Sequence, residues 1–205
     1  MSALTTLVER YLDYLRHEKR YSPHTIAGRA RDLAPFVTYC QSIKITDIRR
    51  ISSHDVRAHL SRQHRVGLQP LTLHRHLSSI RNWLAYLVRQ QLLDANPASV
   101  VRAPKARRKL PGVITADALN SALNRPPADV SDLRNHAIVE LLYSAGLRPA
   151  EPLALNVADV NQDQRELRIT GKGNRQRIVM IGAPARLALD RWLERAVNAA
   201  SAAEV

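Results

Sequence analysis

The chain has 205 residues, with 31 Lys and Arg against 18 Asp and Glu, a formal net charge of +13 and one cysteine. No apolar run approaches the roughly 18 residues that read as a membrane span, and the opening residues MSALTTLVER read as no secretory signal. With Cys40 alone, an internal disulfide is excluded and a reducing compartment is expected.

The charge is unevenly placed. Residues 1–110 hold 20 Lys and Arg against 7 Asp and Glu, whereas residues 111–205 hold 11 of each. The whole excess lies in the first half, which suits a polyanion, nucleic acid first. Its cations are spread over several helical segments rather than gathered in one stripe, which argues against a membrane surface.

Leu4, Leu7, Val8, Tyr11, Leu12 and Leu15 recur at helical spacing and predict a first amphipathic helix. Ser22 then Pro23 reads as N-cap and first helical residue. Ile26, Leu33, Val37 and Cys40 form one broad face of this second helix, with Pro35 expected to bend it. Cys40 reads as a small core residue. Ser53 is expected to cap a third helix carrying Val56 and Leu60, stopped near Gly67. A fourth runs over residues 71–91 with Leu73, Leu77, Ile80, Leu84, Leu87 and Val88 inward. Four helices within residues 1–95 predict a helical bundle.

Residues 96–112 hold three prolines and five basic residues with little periodicity, so they read as a basic linker able to lie along a phosphate backbone. Thr115 is expected to cap a short helix, and Leu133, Ala137, Ile138, Leu141 and Leu142 mark a helix over 131–145 that stops at Gly146. Another short helix starts near Pro149. Residues 166–170 and 175–181 read as strands flanking the turn at 171–174, a β-hairpin. A last helix over 184–200 is built around Leu187, Leu189, Trp192, Leu193 and Val197.

Two segments carry chemistry. In Y-S-A-G-L-R-P-A-E at 143–151, Gly146 turns the chain and Glu151 lies three residues after Arg148, able to brace its guanidinium for bidentate phosphate contact. In G-K-G-N-R-Q-R at 171–177, Lys172 sits between two glycines at a hairpin tip, with Arg175 and Arg177 on the next strand. Three such cations can neutralise phosphates. This is no P-loop, since the Lys precedes the second Gly and strands lie on both sides. His54, His59 and His64 are five apart and share no helical face, and no carboxylate or cysteine cluster accompanies them or His74 and His76. No metal site is expected.

Taken jointly, the segments resemble the tyrosine recombinases, the phage integrase family, and within it the bacterial Xer type, its XerC-like branch above all. The resemblance rests on Y-S-P-H-T-I at 21–26, R-D-L at 31–33, L-T-L-H-R-H-L-S-S-I-R-N-W-L-A-Y-L at 71–87, N-P at 96–97, A-P-K-A-R-R-K-L-P at 103–111, and the two segments just described. It implies a mainly α chain: a four-helix, SAM-like core-binding domain (1–95), the linker (96–112), and a truncated α+β catalytic domain (113–205) with a small hairpin sheet. It implies double-stranded DNA as partner, a sister recombinase of the XerD-like kind in a tetrameric synaptic complex, a cytoplasmic, nucleoid-associated setting, and no cofactor. By motif, Arg148 and Lys172 correspond to catalytic cations and Glu151 to an accessory acid. Lys105, Arg107, Arg108, Lys109, Arg75, Arg81, Arg175 and Arg177 are the DNA-contact candidates.

The family's H-x-L-R segment, a later His or Trp, and the nucleophilic Tyr have no counterpart here. None of Tyr11, Tyr14, Tyr21, Tyr39, Tyr86 and Tyr143 takes the nucleophile's place in the motif order. The chain is therefore expected to bind DNA but not to cut it alone. A non-catalytic DNA-binding protein derived from a recombinase is the competing expectation. Pro152 adds to it, because its ring restricts Glu151 and can loosen Arg148.

Overall fold

In the computed structural model, which describes residues 2–105, 112–161, 165–171 and 173–203, Ser22 accepts from the Thr25 amide and Pro23 opens the second helix. The same local logic starts most helices. The chain divides into two units, Met1–Leu110 and Pro111–Val205.

The first unit holds α1 (Ala3–His17), α2 (Pro23–Ser42), α3 (Ser53–Arg65) and α4 (Pro70–Arg89). Helix α4 packs against the other three. Its inward face is Leu73, Leu77, Ile80, Trp83, Leu84 and Leu87, all essentially without solvent contact. Phe36 of α2 meets Trp83 edge-on at 6.4 Å between ring centroids. Pro35 lies inside α2 without ending it. Cys40 is fully buried, and burial pushes its thiol up to about 12, so it serves as an inert core residue.

The third helix departs by one position from the sequence expectation. Ser52, not Ser53, is the N-cap: its hydroxyl accepts from the Asp55 amide at 3.3 Å, and the Asp55 carboxylate takes the Ser52 amide at 2.9 Å. Two orphan donors are thereby satisfied reciprocally. Ser52→Ala is expected to lower the stability of this unit by about 1 kcal/mol, readable in urea denaturation of the full chain.

The start of the expected linker is fastened to the first unit. Arg81 donates through Nε to the Ala98 carbonyl at 2.9 Å and through Nη2 to that of Val101, while Asn96 Nδ2 donates to the Arg81 carbonyl at 3.0 Å. Ala98 and Val101 are buried in the same core, and the His74 ring bonds the Pro104 carbonyl at 2.9 Å. A composition rich in Pro and Arg hid this, because the segment is held by side-chain bonds to carbonyls rather than by a periodic apolar face.

The second unit holds α5 (Ala116–Leu123), α6 (Val130–Ala145), α7 (Ala150–Leu153), β1 (Val160–Asn161), β2 (Glu166–Thr170), β3 (Gln176–Met180) and α8 (Ala183–Ala203). The three strands form an antiparallel sheet in the order β1-β2-β3. Two residues long, β1 was too short to show alternation in the sequence. Leu141, Leu147, Leu167, Ile169, Ile181, Ala185 and Leu189 make the core, with α8 laid against α6. Gly146 closes α6 with φ 58°, the left-handed geometry expected of a glycine there.

Among the described residues no helix is long and apolar enough to cross a membrane, and no group of three or more His, Cys, Asp or Glu could hold a metal ion.

Candidate functional site

The site in the second unit is organised by one buried carboxylate. Glu151 is 5% exposed and lies in α7, just past the Gly146 turn. Its Oε2 accepts from the Arg148 amide at 2.8 Å and its Oε1 from Arg148 Nη1 at 3.2 Å. Arg177, reaching from β3, adds a two-point contact: Nη1 to Oε1 at 3.0 Å and Nη2 to Oε2 at 2.8 Å. Parallel N–H bonds of this kind fix an arginine in both position and plane.

The two cations are left in different states. Arg177 is committed to Glu151. Arg148 gives the carboxylate one side-chain nitrogen, and its side chain is otherwise 68% exposed. The site thus presents a guanidinium anchored at one corner and open elsewhere.

The electrostatics follow. The Arg177 hydrogen bonds, then the Arg148 amide, hold the Glu151 carboxyl down to about 2, against the opposing effect of burial. In turn, the Glu151 bonds raise the Arg177 pKa. Because the folded value of Glu151 lies below its ordinary 4.5, its stabilising contribution is complete above about pH 4.5 and is lost as pH falls through about 2. A carboxyl-detected NMR titration should find Glu151 still ionised at pH 3.

The hairpin is tied to this carboxylate at close range. Gly171 N–H donates to the Arg175 carbonyl at 2.8 Å and Asn174 N–H to the Gly171 carbonyl at 3.1 Å. Gly173 and Asn174 take the positive φ values, 78° and 59°, that reverse the chain. A Cβ added at Gly171 would lie 3.0 Å from Arg177 Nη1 and 3.2 Å from Glu151 Oε1, so the glycine makes room for the ion pair. Gly171→Ala is expected to displace the Arg177 fork and raise the Glu151 pKa back toward 4.5, visible in the same titration.

Several sequence candidates lie outside this cluster or also bind other parts of the chain. Arg177 lies opposite Ile169 in the sheet register and shares the inner face with Val179. The period-2 pattern Arg177–Val179–Ile181 held that signal, yet cation clustering had placed Arg177 among the DNA contacts. Arg81 is occupied by the carbonyls of residues 98 and 101, and Arg75 pairs with Asp32. Lys105 and Arg175 are exposed. Lys172, Arg107, Arg108 and Lys109 lie outside the described residues.

Pro152 does not displace Glu151. It is the third residue of α7, where the amide would have had no intrahelical partner. Its ring is buried at an apolar cleft of about 310 Å³ with Leu141, Leu155, Val160, Leu189 and Trp192.

Comparison with known proteins agrees with this architecture. The phage integrase N-terminal SAM-like domain matches residues 8–91, and the phage integrase family domain matches residues 113–205. Tyrosine recombinase XerC of Actinobacillus pleuropneumoniae serotype 7 (strain AP76) is 38% identical over 183 residues, 89% of this chain and 60% of the relative. XerC of Xanthomonas campestris pv. campestris (strain B100) is 36% identical over 190 residues, 93% of this chain and 59% of the relative. The chain thus spans about three-fifths of the length of these curated relatives. Among solved structures, a lambda integrase dimer bound to a COC′ core site superposes with TM-score 0.71 at 15% identity, covering 93% of this chain and 69% of that one. The Tn1549 transposon integrase in complex with transposon right end DNA gives 0.70 at 17% identity, covering 92% and 65%. These two establish the fold. With both domain matches in order along the chain, it belongs to the phage integrase family of tyrosine recombinases.

Proposed function

We propose that this chain is part of an Xer-type site-specific recombinase that cuts and rejoins duplex DNA through a 3′-phosphotyrosyl intermediate. The observation that carries the reading is Glu151: one buried carboxylate holds Arg148 and, through Arg177, the base of the hairpin. In the reaction a tyrosine oxygen attacks the scissile phosphorus and the bond to the 5′-oxygen breaks. Arg148 donates to a non-bridging oxygen as charge grows there, a contribution of about 10²–10³ in rate. Lys172 delivers the proton to the departing 5′-oxygen, worth roughly 10²–10⁴. A 5′-hydroxyl from the partner strand then attacks the phosphotyrosyl bond and releases the tyrosine. The energy of the phosphodiester is retained, so no external source is needed.

The nucleophile belongs to the part of the relatives' length that this chain does not span. Tyr11 and Tyr86 are buried in the first unit with tilted rings 5.3 Å apart between centroids, and Tyr14 packs tilted against Tyr86 at 4.8 Å, so these rings serve packing there. Resolution of chromosome dimers, with a sister recombinase in a tetramer, is the role that fits the Xer-like relatives. The basic first unit and the cations at 105–109 take the duplex.

The test is a nicked duplex carrying an Xer-type site, incubated with this chain and with the protein at the full length of its relatives. A covalent adduct from the longer protein alone is expected. An adduct from the 205-residue chain would place the nucleophile within it. Absence of adduct from both, with DNA binding intact, would favour a non-catalytic DNA-binding protein.

A further inference from the structure

The first unit contains a second buried carboxylate, paired with one arginine and linked through a serine hydroxyl to another, and it lies outside the site just described. Asp32 of α2 is 2% exposed. Its Oδ1 pairs with Arg75 Nη1 of α4, and its Oδ2 accepts from the Ser79 hydroxyl at 2.7 Å. The same hydroxyl accepts from Arg29 Nη1 at 2.8 Å. His76 lies 3.6 Å from Asp32 Oδ1, and burial lowers its pKa against the opposing effect of Asp32. One guanidinium, Arg75, therefore pairs with the carboxylate directly, and a second, Arg29, is linked to it through the Ser79 hydroxyl, so a positive charge is left over at the edge of the α2–α4 interface.

A carboxylate taken out of water is expensive, and an apolar pair between these helices would often be as stable or more so. What Asp32 provides is position. Arg29 and Asp32 are three apart on α2, and Arg75 and Ser79 are four apart on α4, so each pair shares a helix face. The Arg75 side chain is 49% exposed and gives Asp32 one corner of its fork. A guanidinium held at one corner offers its remaining donors in a fixed plane, the geometry that suits a phosphate.

We infer that Arg29 and Arg75, positioned by Asp32 and Ser79, form a two-helix clamp for a backbone phosphate of duplex DNA. The clamp rests on the DNA-binding reading above and assigns positioning residues in the first unit. The surrounding charge agrees, since the +13 excess lies in this unit.

The test is the salt dependence of duplex binding by the full chain. Each lost phosphate contact lowers the slope of log K against log salt by about 0.9. Arg29→Ala and Arg75→Ala should each show that drop, whereas Arg75→Lys should keep the slope but bind more weakly than wild type, because the charge stays while the fork is lost. Asp32→Asn makes the chain more positive, so simple charge counting predicts tighter binding; the clamp predicts weaker binding and a shallower slope. Should Asp32→Asn fail to fold by circular dichroism, Ser79→Ala substitutes for it, and its effect should vanish in an Arg29→Ala background. Tighter binding by Asp32→Asn, or wild-type affinity of Arg75→Lys, overturns the clamp. A wild-type chain without salt-dependent duplex binding sinks the DNA-binding reading as well. Wild-type binding unchanged in all variants sinks the clamp alone.

Discussion

Changing Glu151 to Gln in the full-length protein is expected to slow strand cleavage by about 10²–10³-fold, with duplex binding nearly unchanged. The amide keeps the volume but loses the charge that two arginines share. It also turns an NH₂ donor toward a guanidinium, which can only donate. Arg177 then loses one leg of its fork, and Arg148 loses the anchor that sets its plane. Single-turnover cleavage of the nicked substrate measures the effect. Because Glu151 acts through Arg148, the loss from Glu151→Gln should largely disappear in an Arg148→Ala background. Full additivity of the two losses would show that Glu151 does something other than position Arg148.

The second large effect concerns the first unit and acid. His59 is fully buried with neither ring nitrogen hydrogen-bonded, set against Phe36 at 5.2 Å and Tyr39 at 5.4 Å between centroids. Burial, then the neighbouring His76 and Arg62, lowers its pKa from 6.5 to about 4. The folded value is depressed, so the unfolded chain takes up the proton first. Stability is complete above about pH 6.5 and declines as pH falls through about 4. The total is on the order of 3 kcal/mol at about 1.4 kcal/mol per unit. Burial lowers His76 as well, which acts in the same direction. Hydrogen exchange of the α3 and α4 amides between pH 7 and pH 4 should show this loss. His59→Leu should flatten most of it and raise stability at pH 7 by about 1–3 kcal/mol, because it removes two unsatisfied polar atoms at similar volume. A pH profile unchanged by His59→Leu would move the acid sensitivity to other groups.

Local signals carried the helices. Ser22-Pro23, Thr115 and Gly146 act on their own backbone neighbours, so a short window of sequence was enough. The inward faces of α1 and α4 were legible because 3.6-residue spacing is a property of the chain before it packs. The motif order at 141–151 and 171–177 was likewise legible and led to the family.

What the sequence by itself determined is therefore the helices and the two hairpin strands, without β1, together with the basic first half and the identity of the cations. Only the tertiary structure decided what each cation does. Arg148, Arg177, Arg75 and Arg81 look alike in a composition count. One stays open beside a carboxylate, one is spent on that carboxylate, one shares Asp32, and one straps residues 96–101 to the bundle. Their partners lie 3, 26, 43 and about 17 residues away. An ion pair is set by angström distances between side chains, and for all but Arg148 the distances are made by packing between elements that local sequence does not encode.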